Sequence, residues 1–216
     1  TRGEAPVPLP AVYVDLDVVA PARQAEESER GWALRLAHGD GDGRIPLLDA
    51  LAQPEHRLTV LLGDAGSGKT TFVNYLAYRL ATDGAGAVLL PEALAGRPLV
   101  RLVLREVAAH HLPAHAERGT AQMLWDAVAA DMASRLGAAA AGRLLPHLQH
   151  RLCQEGGLVL LDGLDEVPAA HRRRKVLLEA VHALAGLLPA ASGRVVVTAR
   201  PYAYADAQWR LEGFTT

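Results

Sequence analysis

Nine consecutive residues, Gly63, Asp64, Ala65, Gly66, Ser67, Gly68, Lys69, Thr70 and Thr71, restrict the fold of this chain more than any other stretch. The first eight satisfy the spacing G-x-x-x-x-G-K-[ST], in which glycines let backbone N–H groups turn toward an anion with no Cβ in the way. Upstream, Leu58-Thr59-Val60-Leu61-Leu62 is a short aliphatic run that reads as a buried strand. Downstream, Phe72, Val73, Leu76 and Leu80 recur at helical spacing. The order is therefore strand, glycine loop, helix, and a helix beginning near Lys69 directs the positive end of its dipole at the loop. In such a loop Lys69 is expected to reach the β- and γ-phosphates of a nucleotide, and the Thr70 hydroxyl to be a ligand of Mg2+. A glycine-rich turn with a stray lysine is the bland account, and it leaves the flanking strand and helix unexplained.

Apolar runs alternating with helical patterns continue to the end of the chain, which predicts a parallel α/β sheet with right-handed crossovers. Leu99 to Leu104 reads as the second strand, with the charged pair Arg105-Glu106 after it, where a parallel sheet opens toward its ligand. Thr120 is placed to cap a helix carrying Leu124, Val128, Met132 and Leu136, with Gly137 as its stop. Pro146 suits the first turn of a further helix with Leu148 and Leu152, closed by Gly156 and Gly157. Leu158-Val159-Leu160-Leu161 has the unbroken apolarity of a strand buried on both faces. A helix over 172–188 puts Leu177, Val181, Leu184 and Leu188 on one face, and the basic run Arg172-Arg173-Arg174-Lys175 at its start reads as a solvated face. Val195-Val196-Val197 is the last clear strand and delivers Thr198-Ala199-Arg200-Pro201 to the same edge of the sheet.

The N-terminal part is less patterned. Residues 1–10 are proline-rich, Ala11 to Val19 alternates as a short strand would, and His38 to Gly43 is a Gly/Asp turn lacking the remaining ligands of a calcium loop. Pro46 to Leu51 reads as a short helix leading into the core. The chain thus divides into a flanking segment, 1–45, and a core, 46–216. Its 216 residues, half of them hydrophobic, suffice for one core, and a net charge of −2 does not suggest a nucleic-acid-binding surface. Cys153 is the only cysteine, no apolar run approaches a membrane span, and no signal peptide is present, which together suit the cytoplasm. The chain begins at Thr1 and ends within structured-looking sequence, so it reads as an excised piece of a longer protein.

Hydrolysis of a nucleotide requires that the metal be held and the attacking water positioned. Asp162, an acid directly after the apolar run, can bind Mg2+ through water or accept a hydrogen bond from Thr70. Asp165 and Glu166 follow, and a carboxylate there can orient water or act as general base. Arg200, at the end of a neighbouring strand, can contact the γ-phosphate with its guanidinium fork and so tell ATP from ADP. The histidines His110, His111, His115, His147 and His150 lack the Cys or acidic neighbours of a metal site and read as surface residues.

The phosphate loop at 63–71, the stretch Leu158 to Val167 with small Gly163 after the first acid and an Asp-Glu pair beyond, and Thr198-Ala199-Arg200-Pro201 together resemble the NACHT nucleotide-binding domain of the STAND NTPases. Arg105-Glu106 resembles the family too, whereas Ala199 stands where Ser is more usual. The resemblance covers about Pro46 to Tyr204 and implies a P-loop NTPase three-layer sandwich with a parallel central sheet, truncated before the helical and winged-helix domains. It implies a cytoplasmic switch, ADP-bound at rest and ATP-bound when the full-length protein assembles into a homo-oligomer, with Mg2+ as cofactor and slow ATP hydrolysis. This piece alone is expected to be monomeric. Family members include bacterial defence proteins and animal inflammasome receptors, so a role in innate immunity or anti-phage defence follows. Tyr13 is a plausible wall for the adenine.

Three other functions compete with the switch. A small-molecule kinase would need a lid with arginines and an acceptor pocket, and the only arginine cluster begins at Arg172. A degenerate interaction module conflicts with the intact set Lys69, Thr70, Asp162 and Glu166. A GTP-dependent switch would carry an N-K-x-D base-reading motif, which does not occur.

Overall fold

The computed structural model describes residues 17–19, 44–82, 90–168 and 171–216. The segments 20–43 and 83–89 and the residue Tyr13 lie outside them, so the expectations placed on the Gly/Asp turn and on the adenine wall do too. Within the expected Ala11 to Val19 strand, Asp17–Val19 (β1) is extended and pairs antiparallel with Arg44–Pro46 (β2). Leu47–Ala52 (α1) follows, in agreement with the apolar pattern there.

The main sheet contains Leu58–Leu62 (β3), Leu99–Val103 (β4), Gly157–Asp162 (β5) and Gly193–Ala199 (β6), in the order β3-β6-β5-β4 and parallel throughout. Successive strand residues point to opposite faces, and the two faces fill separate cores. Val60, Val100, Leu102, Val159, Leu161, Val195 and Val197 pack with Leu104–His110 (α3), Ala121–Leu136 (α4) and His171–Leu187 (α6). Leu61, Leu158, Leu160 and Val196 pack on the other side with α1 and with Lys69–Ala81 (α2). A parallel sheet needs this double cover, which is why β5 and β6 are buried along their whole length. The molecule is an α/β sandwich of the P-loop NTPase type.

Four local expectations need correction. The second strand stops at Val103, because Leu104, Val107 and Ala108 are spaced to bury one helical face and α3 begins at once. Thr120 precedes α4 in extended conformation, but its side chain makes no capping bond; the segment is tied to α6 instead by Gly119 N–H donating to Glu179 at 2.8 Å. Gly119 is close-packed there, since a Cβ would lie 1.9 Å from the Val176 carbonyl oxygen.

The third correction concerns Pro146, which lies inside the helix Ala138–His150 (α5) rather than in its first turn. Four consecutive alanines, the strongest helix formers, start this helix directly after Gly137, and it tolerates the bond that Pro146 cannot donate. It runs on into a π turn, Arg151–Glu155, before Gly156 breaks it in a left-handed conformation.

The fourth is the basic run on α6, which is not uniformly solvated. Arg172 and Lys175 face water, whereas Arg174 is buried and pairs with Asp206 at 3.8 Å, and Arg173 donates to the Ala108 carbonyl at 3.2 Å. These two residues hold α6 to its neighbours.

At the amino edge of the sheet Arg194 is also buried. It donates to the carbonyls of Leu51 and Ala52 at the end of α1, where a cation meets the negative end of the helix dipole. Burial, and then the charges of Arg57 and Arg97, push its pKa down. At the outer edge of β3, Thr215 forms a parallel bridge to Thr59, exchanging backbone bonds with Leu58 and Val60.

Candidate functional site

Because all four strands run the same way, their carboxyl ends share one edge of the sheet. Leu62 is in register with Ala199, Leu161 with Val197, and Val103 with Asp162. The loop after β3, the acids after β5 and Arg200 after β6 are therefore neighbours despite their separation in the chain.

The loop at 63–68 turns through Gly66 (φ +78°) and Gly68 (φ +88°), values that L side chains adopt at a cost. At Gly63 the need is space, since a Cβ would stand 2.5 Å from the Ser67 hydroxyl oxygen. Asp64, Ala65, Gly66 and Ser67 are exposed, as are Thr70 and Thr71 on the first turn of α2. Gly68 is the N-cap of that helix and brings no side chain, so no cap oxygen occupies the amides of the first turn. The Lys69 ammonium stands over the loop, donating to the carbonyls of Gly63 and Asp64 (2.9 Å for Asp64) and to the Ser67 hydroxyl at 3.3 Å.

Asp162 is buried at the end of β5 on the face turned to α2. Its Oδ1 accepts from the Thr198 hydroxyl at 2.6 Å and from the Thr70 hydroxyl at 3.4 Å, and its Oδ2 from Arg101 at 3.5 Å. Thr198 also accepts the Gly163 N–H at 2.8 Å, which locks the strand end in place. Gly163 is left-handed (φ +79°), and a Cβ would come 3.3 Å from the Glu166 carboxyl carbon, so a small residue here leaves room for the Glu166 side chain beside it. Leu164–Glu166 is a single 3-10 turn that separates the two following acids. Asp165 turns inward and is only 6% exposed, with one oxygen on the Arg200 N–H at 3.2 Å and the other on Arg200 Nε at 3.0 Å. Glu166 turns outward, 45% exposed, and meets Arg105 Nη1 at 3.3 Å. Arg105 in turn donates to Glu106.

A family model described as the NACHT domain matches residues 57–215, a span that includes the whole parallel sheet. The chain belongs to the NACHT family. No curated protein matches it. NACHT domains are nucleotide-binding NTPase modules of the STAND type, and this one presents its polar groups at the carboxyl edge where open α/β sheets take their ligands. No helix among the described residues of this NACHT domain is long and apolar enough to cross a membrane.

The donor set suits a metal-bound nucleotide. A hydroxyl and a carboxylate side by side, Thr70 and Asp162, offer hard oxygen ligands of the kind Mg2+ takes, while Lys69 and the amides of α2 offer positive charge to phosphate. The sequence reading gave no role to Thr198 or Arg101 and did not join Arg105 to Glu166. Thr198 is a hydroxyl at the end of an apolar strand, on the face that alternation from Val196 assigns to α2. Arg101 is the one charge within the apolar run of β4, and it pairs with Asp162 on the adjacent strand. The Arg105 and Glu166 pair joins two charged positions after neighbouring strands, each noticed singly.

Proposed function

We propose that this domain is the nucleotide-controlled switch of a STAND-type signalling protein. It binds ATP or ADP with Mg2+ and hydrolyses ATP slowly, and the bound nucleotide controls homo-oligomerisation of the longer protein in innate immunity or anti-phage defence. The core of the switch begins at residue 46. The supporting observation is the common edge that Lys69, Thr70, Asp162, Glu166 and Arg200 share.

In this reading the loop from Gly63 to Gly68 and the first turn of α2, with Thr71, wrap the phosphates in N–H donors, and Lys69 exchanges loop carbonyls for phosphate oxygens. Thr70 and Asp162 would hold Mg2+, which would supply positive charge against the phosphates, and Thr198 fixes the carboxylate. Glu166 is the exposed carboxylate and takes the proton of the attacking water. Asp165 does different work from that expected of it. Both of its oxygens are on Arg200, so it is a positioning residue that aims the guanidinium rather than a second base. Asp165 grips the backbone amide and Nε, and Arg200 then presents Nη1 and Nη2 to the γ-phosphate.

A switch differs from a turnover enzyme in what it does with its nucleotide: differential contacts move a conformational equilibrium. Competition against a fluorescent ATP analogue in millimolar Mg2+ tests the reading. ATP and ADP are expected to displace the probe at least about tenfold better than GTP, and a steady-state assay to show slow phosphate release without transfer to added acceptors. No displacement by any nucleotide, or robust phosphorylation of an acceptor, would overturn it.

A further inference from the structure

A guanidinium in the middle of a parallel strand has to be explained, and Arg101 is one. Its neighbours on β4, Val100 and Leu102, point into the core with α3, α4 and α6, so Arg101 points to the opposite face, toward α2. It lies on the edge strand in register with Leu160 of β5, its side chain is 31% exposed, and the face it lies on packs Phe72, Leu76, Leu158, Leu160 and Val196 among others. An aliphatic side chain would fill that place at no electrostatic cost. Arg101 Nε is buried with no hydrogen-bond partner, and its one ion pair among the described residues is with Asp162 Oδ2 at 3.5 Å. The site also has Lys69 and Arg200 as cations, and neither is held by Asp162.

We propose that Arg101 is a built-in counter-ion of Asp162 that sets how strongly nucleotide binding depends on Mg2+. This rests on the reading of Asp162 as the carboxylate that holds the metal. With Arg101 present the carboxylate stays oriented in the absence of a divalent cation, through Arg101 on one oxygen and Thr198 on the other. A divalent cation arriving at Asp162 meets a positive charge already there, and two cations sharing one carboxylate repel each other appreciably even at an effective dielectric of about 20. Arg101 therefore weakens the metal at this site while adding positive potential for the phosphates. The domain keeps hold of its nucleotide when Mg2+ is scarce, which a switch locked on ADP requires.

The test is the ratio of dissociation constants for a fluorescent ATP analogue in EDTA and in saturating MgCl2, measured on the whole chain. Arg101→Gln removes the charge and keeps a donor for Asp162; Arg101→Met matches the apolar layer and serves if the glutamine variant fails to fold, thermal unfolding being the check. Either neutral variant is expected to raise the ratio at least about tenfold and to lower the MgCl2 concentration at half-maximal binding. Arg101→Lys, which restores a cation, is expected to return both toward wild type, an effect that a purely structural role would not give. An unchanged ratio in both neutral variants, with wild type binding the probe in Mg2+, would overturn the role of Arg101 and leave the nucleotide site standing. No binding by wild type under any condition would overturn both.

Discussion

Replacing Lys69 by alanine is expected to weaken ATP binding by about a hundredfold in an equilibrium titration. The ammonium is the compact cation of the loop, held at the mouth by the carbonyls of Gly63 and Asp64 and the Ser67 hydroxyl. Charge-assisted bonds to phosphate contribute roughly 1.5–3 kcal/mol each, and two such bonds lost, partly offset by water, correspond to about two decades in Kd. The fold should survive, because the carbonyls that Lys69 leaves belong to a loop open to solvent. A melting temperature near that of wild type, together with the lost affinity, is the expected pair of results. Equal affinity for wild type and variant would remove Lys69 from the site.

Glu166→Gln is expected to leave nucleotide affinity within about threefold and to slow single-turnover hydrolysis by about a hundredfold or more, the range typical of a missing general base. The amide keeps the shape and can still accept from Arg105, but it cannot hold the proton that the attacking water gives up. The ion pair with Arg105 is exposed at both ends, so its loss costs little stability. Because Asp165 is tied to Arg200 by both oxygens, it offers no substitute base. Undiminished hydrolysis in the glutamine variant would show that the proton goes elsewhere.

The architecture was legible because it depends on patterns that one sequence displays. Alternating apolar runs and helical stripes yield a parallel sheet, and a parallel sheet brings every post-strand loop to one edge; the adjacency of Lys69, Asp162 and Arg200 follows from that. Strand order does not follow from the pattern, and the contacts that depend on it were missed. Arg101 meets Asp162 because β4 lies beside β5, and Thr198 meets Asp162 because β6 lies on its other side. The roles of Asp165 and Glu166 were merged for another reason. Two adjacent acids look alike in a string, and only the 3-10 turn after left-handed Gly163 sends one inward and the other out. Pro146 was misplaced because a proline is a strong local signal, yet four alanines before it and the packing of α5 on α4 outweigh the one bond it omits.

The central claim is that groups from three strands meet at one triphosphate, with Arg200 at its far end. The ratio of ATP to ADP affinity, measured by competition on wild type and on Arg200→Ala, tests this most directly. If Arg200 contacts the γ-phosphate, the variant loses ATP affinity by about tenfold or more and keeps its affinity for ADP. An unchanged ratio, or an equal loss for both nucleotides, would contradict the account.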